Sequence, residues 1–262
     1  MSRSYRPAPF LLGSAALHLA AAAGVGLAPH HWPFLFGTVF ANHLAIAAAC
    51  MWPQSRLLGP NLSRLPDAAA GRGEVGLTFD DGPDPEVTPK VLDLLDGSGA
   101  RATFFCIGRR VEAHPDLAAE IVRRGHHIGN HTWSHPHAFS CYLPAPQRRE
   151  VVRAQEAIER ATGRLPTLFR APAGIRNFFL ERELCKTGLT LASWTRRGYD
   201  TVGKEPSAIA RRLLAGTSAG DVLLLHDGTA FTGGGNPVVL EVLPRVLDEL
   251  DSLGLRAVPM QG

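Results

Sequence analysis

Apolar positions follow two different patterns along the chain. At the start of the chain they form two long blocks, 10–28 and 34–52, each nineteen residues without a charge and rich in Leu and Ala. At 1.5 Å per residue, either block is long enough to cross a hydrocarbon core of about 30 Å. Between them Pro29-His30-His31-Trp32-Pro33 makes a short turn with one interfacial aromatic. The pattern predicts an N-terminal transmembrane helical hairpin. Two rival readings stay open. The first block could be a signal peptide cleaved near Ala21 to Ala23. Alternatively the helices could lie in the membrane interface, because His18, Asn42 and His43 interrupt the blocks.

From Glu74 onward the pattern changes to short apolar runs alternating with amphipathic segments. The runs predict seven strands, at 75–79, 102–107, 127–129, 167–169, 190–193, 222–225 and 256–258. Six helices are predicted between them, at 88–95, 115–124, 147–161, 178–186, 206–214 and 237–253. Pro near the helix starts and Gly just past the ends punctuate these segments, and Thr88 before Pro89 reads as a capping residue. Strands alternating with helices imply a parallel sheet of βα units, either an open doubly wound sheet or an incomplete barrel. The intervening residues 57–72 carry Pro60, Asn61, Ser63, Pro66 and Gly71 and read as a linker. The expected organisation is therefore a membrane-anchoring hairpin at 1–56, a linker at 57–72 and a soluble domain at 73–262.

Composition narrows the picture further. With 45% hydrophobic and 19% charged residues the chain supports a sizeable core, which excludes disorder, collagen and a disulfide scaffold. A net charge of +3 is too mild for a nucleic-acid partner. The four cysteines form no C-x-x-C pair and read as small apolar residues. Charge is unevenly placed: Arg3, Arg6, Arg56, Arg64 and Arg72 face only Asp67 in the first 72 residues. None of these arginines lies in the turn at 29–33. The positive-inside bias then places both hairpin ends and the following domain in the cytoplasm of a bacterial-type inner membrane, with a periplasmic or extracellular domain as the alternative.

Candidate chemistry gathers at predicted strand ends. The first strand runs into Asp80-Asp81-Gly82-Pro83, and adjacent carboxylates are costly unless a cation or a shared proton relieves them. The same four residues also make a good turn sequence. The third strand leads to His131-Thr-Trp-Ser-His135, two histidines at i and i+4 that can share one face of a helical turn. Such a pair suits a solvated surface as well as a ligand set. One cation held by both histidines and an aspartate would account for the pair and for the diacid, and would leave positions open for water. Arg170, Asp200 (beyond Ser193-Trp194) and His226 follow later predicted strands. Singly, each also fits a structural ion pair or a satisfied core group.

The segments T-F-D-D-G-P (78–83), H-T-W-S-H (131–135), R-A-P-A-G (170–174) and L-L-H-D (224–227), in this order, resemble the motifs of the polysaccharide deacetylases. This is the NodB-homology domain of carbohydrate esterase family four, and the resemblance covers about 73–258. It implies an α/β fold, a distorted seven-stranded (β/α) barrel, and hydrolysis of the N-acetyl amide of an amino sugar by a divalent metal, usually Zn2+. By the same resemblance Asp81, His131 and His135 would hold the metal and Asp80 would act as general base. His226 would act as general acid, Arg170 would orient the base, and Asp200 would keep His226 charged. The backbone N–H of Ala173 would face the oxyanion, and Trp194 would line the substrate site. The sequence departs from the pattern at Ala173, where many relatives carry an aromatic, and at Thr201, where many carry Trp. The expected partners are an N-acetylated glycan or lipid-linked amino sugar, and membrane lipid around the hairpin. A deformylase or other C–N hydrolase on a sugar lipid, and a catalytically inactive glycan-binding protein, are the alternatives.

Overall fold

The computed structural model describes residues 3–203, 205–228, 230–231 and 235–261. The two apolar blocks form helices α1 (Pro9–Leu27) and α2 (Trp32–Met51), joined by a single 3-10 turn over Pro29–His31. Both are long and apolar enough to cross a membrane. The polar residues that interrupt the blocks meet one another between the helices. Asn42 Nδ2 donates to Ser14 Oγ at 2.6 Å, and His18 Nε2 lies 3.2 Å from His43 Nε2. Leu19, Leu27, Phe34 and Phe36 point outward and stay exposed. Pairing polar groups inward and apolar groups outward is the arrangement that lipid favours.

Residues 57–72 are packed structure rather than a free linker. Leu58, Asn61, Ser63, Leu65 and Ala69 are buried, and the short helix α3 (Asp67–Ala70) closes the segment. Leu62 forms a parallel bridge with Ala192, its N–H donating to Leu191 O at 2.9 Å. Further along, Leu65 N–H donates to Gly220 O at 2.8 Å. The Pro- and Asn-rich composition that suggested a linker instead serves an extended path along the barrel edge, where Asn61 Nδ2 ties back to Pro53 O. The hairpin ends are fastened to the same body. Arg3 N–H donates to Cys185 O at 2.8 Å, and Arg176 N–H donates to Cys50 O at 3.1 Å.

The barrel follows as β1 (Glu74–Asp80), α4 (Thr88–Ser98), β2 (Thr103–Cys106), α5 (Gly108–Ala113), α6 (Pro115–Arg123), β3 (His127–Asn130), α7 (Pro144–Thr162), β4 (Leu168–Phe169) and α8 (Leu180–Thr187). It continues as β5 (Thr190–Leu191), β6 (Arg196–Arg197), α9 (Pro206–Leu214), β7 (Val222–His226), α10 (Val238–Ser252) and β8 (Arg256–Val258). Seven strands lie in the order β5-β4-β3-β2-β1-β7-β6, all pairs parallel, and β8 joins the start of β1. The expected distorted (β/α) barrel is the fold observed. Its two edges are joined by chain continuity: β5 pairs with β4, and five residues later β6 pairs with β7. The pair Arg196-Arg197 carries no apolar signal, so sequence patterning passes over β6.

Along β1 the period-two rule divides the residues between two environments. Val75, Leu77 and Phe79 pack with Leu92, Phe104 and Val242 beneath the helices. Thr78 and Asp80 face the barrel interior, where Phe105, Leu224, Trp194 and Met260 cluster. Burial on both faces explains the nearly continuous apolar strands. Gly99, Gly163 and Gly188 end α4, α7 and α8 in left-handed conformations, as the Gly-stop reading expects. Thr88, expected as a cap, is already inside α4. Its hydroxyl accepts from Asp84 N–H at 2.8 Å and donates to Asp227 Oδ2 at 2.6 Å.

Candidate active site

Parallel register brings the strand ends together. Asp80 stands opposite His226 across β1 and β7, and Asn130 stands opposite Phe169 across β3 and β4. The side chains that follow these positions converge at the C-terminal end of the barrel, where βα loops carry the chemistry of such folds.

Asp81, His131 and His135 form a compact cluster whose ligating atoms all lie within 4.8 Å of one another. Asp81 Oδ1 is 3.4 Å from Nε2 of His131 and 3.4 Å from Nε2 of His135. His131 Nδ1 donates to Arg170 O at 2.8 Å, since a carbonyl can only accept, which orients the ring with Nε2 turned to the cluster. One oxygen and two imidazole nitrogens are a donor set that suits a borderline divalent ion. Burial opposes ionisation of Asp81, yet the hydrogen bond and charge of His131, with His226 and His135, hold its carboxyl well below the usual carboxylate range. Burial pushes His135 down to about 4, and the neighbouring His131 adds to that, so this ring is neutral near pH 7.

The two histidines do not share a helical turn. They sit on an irregular loop in which Thr132 and His135 both adopt left-handed φ values, 64° and 54°. Asn130 Oδ1 accepts from Thr132 N–H, Thr132 Oγ1 accepts from His135 N–H, and Asn130 Nδ2 anchors to Val151 O. Glu150 on α7 accepts from the backbone N–H groups of Trp133 and Ser134 at 3.1 and 2.8 Å. This network holds a conformation that disfavours non-glycine residues by about 1–3 kcal/mol each. Asp81, Ala173 and Tyr199, also near the site, show positive φ as well.

Asp80 and Arg170 form one buried pair. Arg170 is fully buried, and its Nη1 donates to Asp80 Oδ1 at 2.7 Å and to Thr78 Oγ1 at 2.8 Å. Its Nη2 donates to Ser193 O at 2.9 Å, and the guanidinium lies 4.0 Å from the Phe105 ring. A buried guanidinium needs such pairing, because its desolvation costs several kcal/mol; here both Nη atoms are paired and Nε is not. The second carboxylate oxygen of Asp80 lies 3.8 Å from His131 Nε2, facing the cluster.

His226 and Asp200 form the other pair. Asp200 accepts twice, from His226 Nδ1 at 2.9 Å and from His226 backbone N–H at 2.8 Å. Burial alone would lower the His226 pKa. The hydrogen bond and charge of Asp200, reinforced by Asp80 and Asp81, raise it above the ordinary histidine value. Ala173 and Trp194 stand on the rim rather than within the cluster. Ala173 occupies the short turn Pro172–Gly174 with φ 55°, and the Trp194 indole packs so closely on Gly174 that a Cβ there would collide with it.

The structure adds residues to which sequence reasoning assigned no role. Asn130 and Glu150 shape the histidine loop. Asp227 is fully buried beside the site, and burial pushes its carboxyl up to about 7, opposed by the Thr88 hydrogen bond and reinforced by Asp81. A Cβ on Gly82 would come within 2.5 Å of the Asp227 carboxylate, so the Asp81–Pro83 turn can pack here only with glycine. Asp227 closes the L-L-H-D segment, which put it beside the site without giving it a task.

A parallel barrel whose strand ends carry a three-donor cluster between a carboxylate–arginine pair and a histidine–carboxylate pair has the framework of a hydrolase. The chain belongs to the polysaccharide deacetylase family, whose model matches residues 67–192. A peptidoglycan-N-acetylglucosamine deacetylase of Bacillus cereus is 35% identical over 186 residues, 70% of this chain and 84% of the relative. A chitooligosaccharide deacetylase of Bradyrhizobium is 39% identical over 160 residues, 61% of this chain and 73% of the relative. Among solved structures, a family 4 carbohydrate esterase from Streptomyces lividans in complex with acetate superposes with a TM-score of 0.64. It is 34% identical, and the match covers 71% of this chain and 91% of that one.

Proposed function

We propose that the protein is a membrane-anchored, metal-dependent N-deacetylase that releases acetate from an amino sugar. The observation that carries this reading is the convergence of Asp81, His131 and His135 within 4.8 Å, flanked by the Asp80–Arg170 and His226–Asp200 pairs. Those three residues would hold the ion, and their oxygen and nitrogen donors favour zinc. When bound there, a divalent ion supplies polarisation of the amide carbonyl and acidification of the attacking water.

The chain's own groups do the rest. Arg170 grips one oxygen of Asp80, so the other, facing the cluster, takes the proton of the attacking water as its oxygen bonds to the acetyl carbon. As the C–N bond breaks, His226 passes the Nε2 proton to the departing sugar amine. Asp200 fixes the tautomer and keeps the ring protonated for that transfer. The Ala173 N–H would stabilise the developing oxyanion, and Trp194 would wall the acetyl pocket.

The arginines outside the hairpin support a cytoplasmic barrel through the positive-inside bias. There an acetylated amino sugar on a lipid is a more accessible substrate than an external wall glycan. The deciding experiment combines metal analysis of the purified full chain with acetate and formate release from N-acylated glycans and glycolipids. Metal retention with acetate release supports the reading. Formate release alone, or turnover unaffected by Asp80→Asn, overturns it. A C-terminal reporter active only outside the cell would reverse the sidedness.

A further inference from the structure

A cavity of about 360 Å3 opens between the end of α2 and the rim of the barrel. Trp52 and Gln54, which directly follow α2, form one wall, and Trp194, Arg197, Tyr199 and Arg212 form the other. Gln54 Nε2 donates to Trp194 O at 3.1 Å, so the two walls are fastened together. If α2 spans the bilayer, this cavity sits where hydrocarbon gives way to water.

Its arginines are not equivalent. Arg196, also at the cavity, is committed, with Nε donating to Asp221 at 3.0 Å and Nη1 to Ala215 O. Among the described residues, Arg197 and Arg212 have no carboxylate within 4.0 Å. Arg197 is half-buried, and its Nε is shielded from solvent without a hydrogen-bond partner. The Arg197 guanidinium lies 5.5 Å from the Trp194 ring and 5.1 Å from the Tyr199 ring. Arg212 approaches Tyr199 from α9, at 5.8 Å, while its Nη1 donates to Gly198 O at 3.2 Å. Two guanidinium groups around one tyrosine, without acids of their own, make a site for an anion that accepts forked hydrogen bonds.

The cavity is coupled to the catalytic rim through two of its lining residues. Trp194 packs on Gly174 and lies 5.6 Å from the Arg170 guanidinium, which holds Asp80. Tyr199, itself in a left-handed conformation, immediately precedes Asp200, the partner of His226. Trp194 and Tyr199 thus connect the cavity to the site that would hold the sugar.

We infer that Arg197 and Arg212 bind the phosphate or diphosphate joining the amino sugar to its lipid, making this cavity the subsite that selects a lipid-phosphate-linked substrate. This deepens the deacetylase reading and rests on it for the identity of the sugar reaction.

The test uses the full chain in neutral-detergent micelles with two probes. One is a prenyl diphosphate-linked N-acetylglucosamine, and the other is the same prenyl glycoside without phosphate. Binding and acetate release are measured for each, with the wild-type chain and with Arg197→Gln, Arg212→Gln and Arg197→Lys. The expected result is at least tenfold tighter binding of the phosphorylated probe, reduced about tenfold by either Gln variant and partly kept by Lys. KM on the phosphorylated probe should rise accordingly, far more than on the phosphate-free one. Equal losses on both probes, or no preference in the wild-type chain, would overturn the subsite. Competition by phosphatidylglycerol or inorganic phosphate as strong as by the phosphorylated probe would also overturn it, assigning the arginines to a headgroup or a free ion. Phosphate-dependent binding without acetate release keeps the subsite and sinks the deacetylase reading. Acetate release without phosphate preference does the reverse.

Discussion

The hairpin and the barrel both pair polar groups, but in opposite ways. Between α1 and α2 the groups are hydroxyl, amide and imidazole, paired two by two through Ser14–Asn42 and His18–His43, and only Ser14 is buried. In the barrel they are charges: Asp80, Asp81, Arg170, Asp200 and His226, each held by several partners. Interhelical pairs of the first kind average about 0.6 kcal/mol in a bilayer. Breaking a buried ion pair of the second kind costs about 3–5 kcal/mol, because the surviving charge is left uncompensated. The hairpin therefore tolerates change at its polar positions, whereas the barrel does not.

That contrast can be broken or sharpened by substitution. The largest effect is expected for the cluster itself. His131→Ala should remove metal retention and reduce acetate release to background, whereas His226→Ala should keep the metal and lower turnover by about 10²-fold or more. Equal metal loss in both variants, measured by elemental analysis, would contradict the division of roles.

Next is Arg170→Ala, which strands Asp80 inside the barrel. A loss of about 3–5 kcal/mol of stability is expected by denaturant unfolding of the full chain in detergent. A change below about 1 kcal/mol would show that the interior is wetter than its packing implies.

Asp200→Asn should have a smaller effect, visible mainly in pH dependence. His226 works when protonated, and Asp200 raises its pKa, so turnover falls as pH rises through that raised value. Removing the carboxylate should move the alkaline fall in turnover to lower pH. By linkage, the pair contributes its full stability below the unfolded histidine value of about 6.5 and loses it as pH rises through the folded value. An unmoved alkaline limb would assign the limb to another group.

The smallest effect is expected from Asn42→Leu. It removes one interhelical hydrogen bond and should weaken hairpin association by about 0.6 kcal/mol, leaving acetate release intact. A large loss of activity would mean that the hairpin geometry reaches the catalytic rim through Gln54 and Trp194.

Much of this arrangement is legible in the chain. Short apolar runs with Pro and Gly punctuation specify alternating strands and helices, because a strand buried on both faces has little room for charged side chains except at its ends. Asp80, His131, Arg170 and His226 stand out for that reason. Other features leave no such trace. The two arginines of β6 are strand because of where the neighbouring β7 lies. Residues 57–72 look like a linker because local polarity cannot reveal that Leu62 will pair with Ala192, 130 positions away. The spacing of His131 and His135 suits a helical turn, but Asn130 and Glu150 pull the loop into left-handed conformations instead.

The sequence by itself determined the two apolar helices, the alternation of strands and helices and the residue types able to hold a metal and exchange protons. Periodicity and side-chain chemistry are local properties, and they survive in the unfolded chain. Only the tertiary structure decided that Asp81, His131 and His135 share one centre, that Thr88 serves Asp227 rather than its own helix, and that Trp52 meets Arg197 across a cavity. Those relations depend on strand register and loop packing between distant segments, which form when burial of the common core brings the strand ends together.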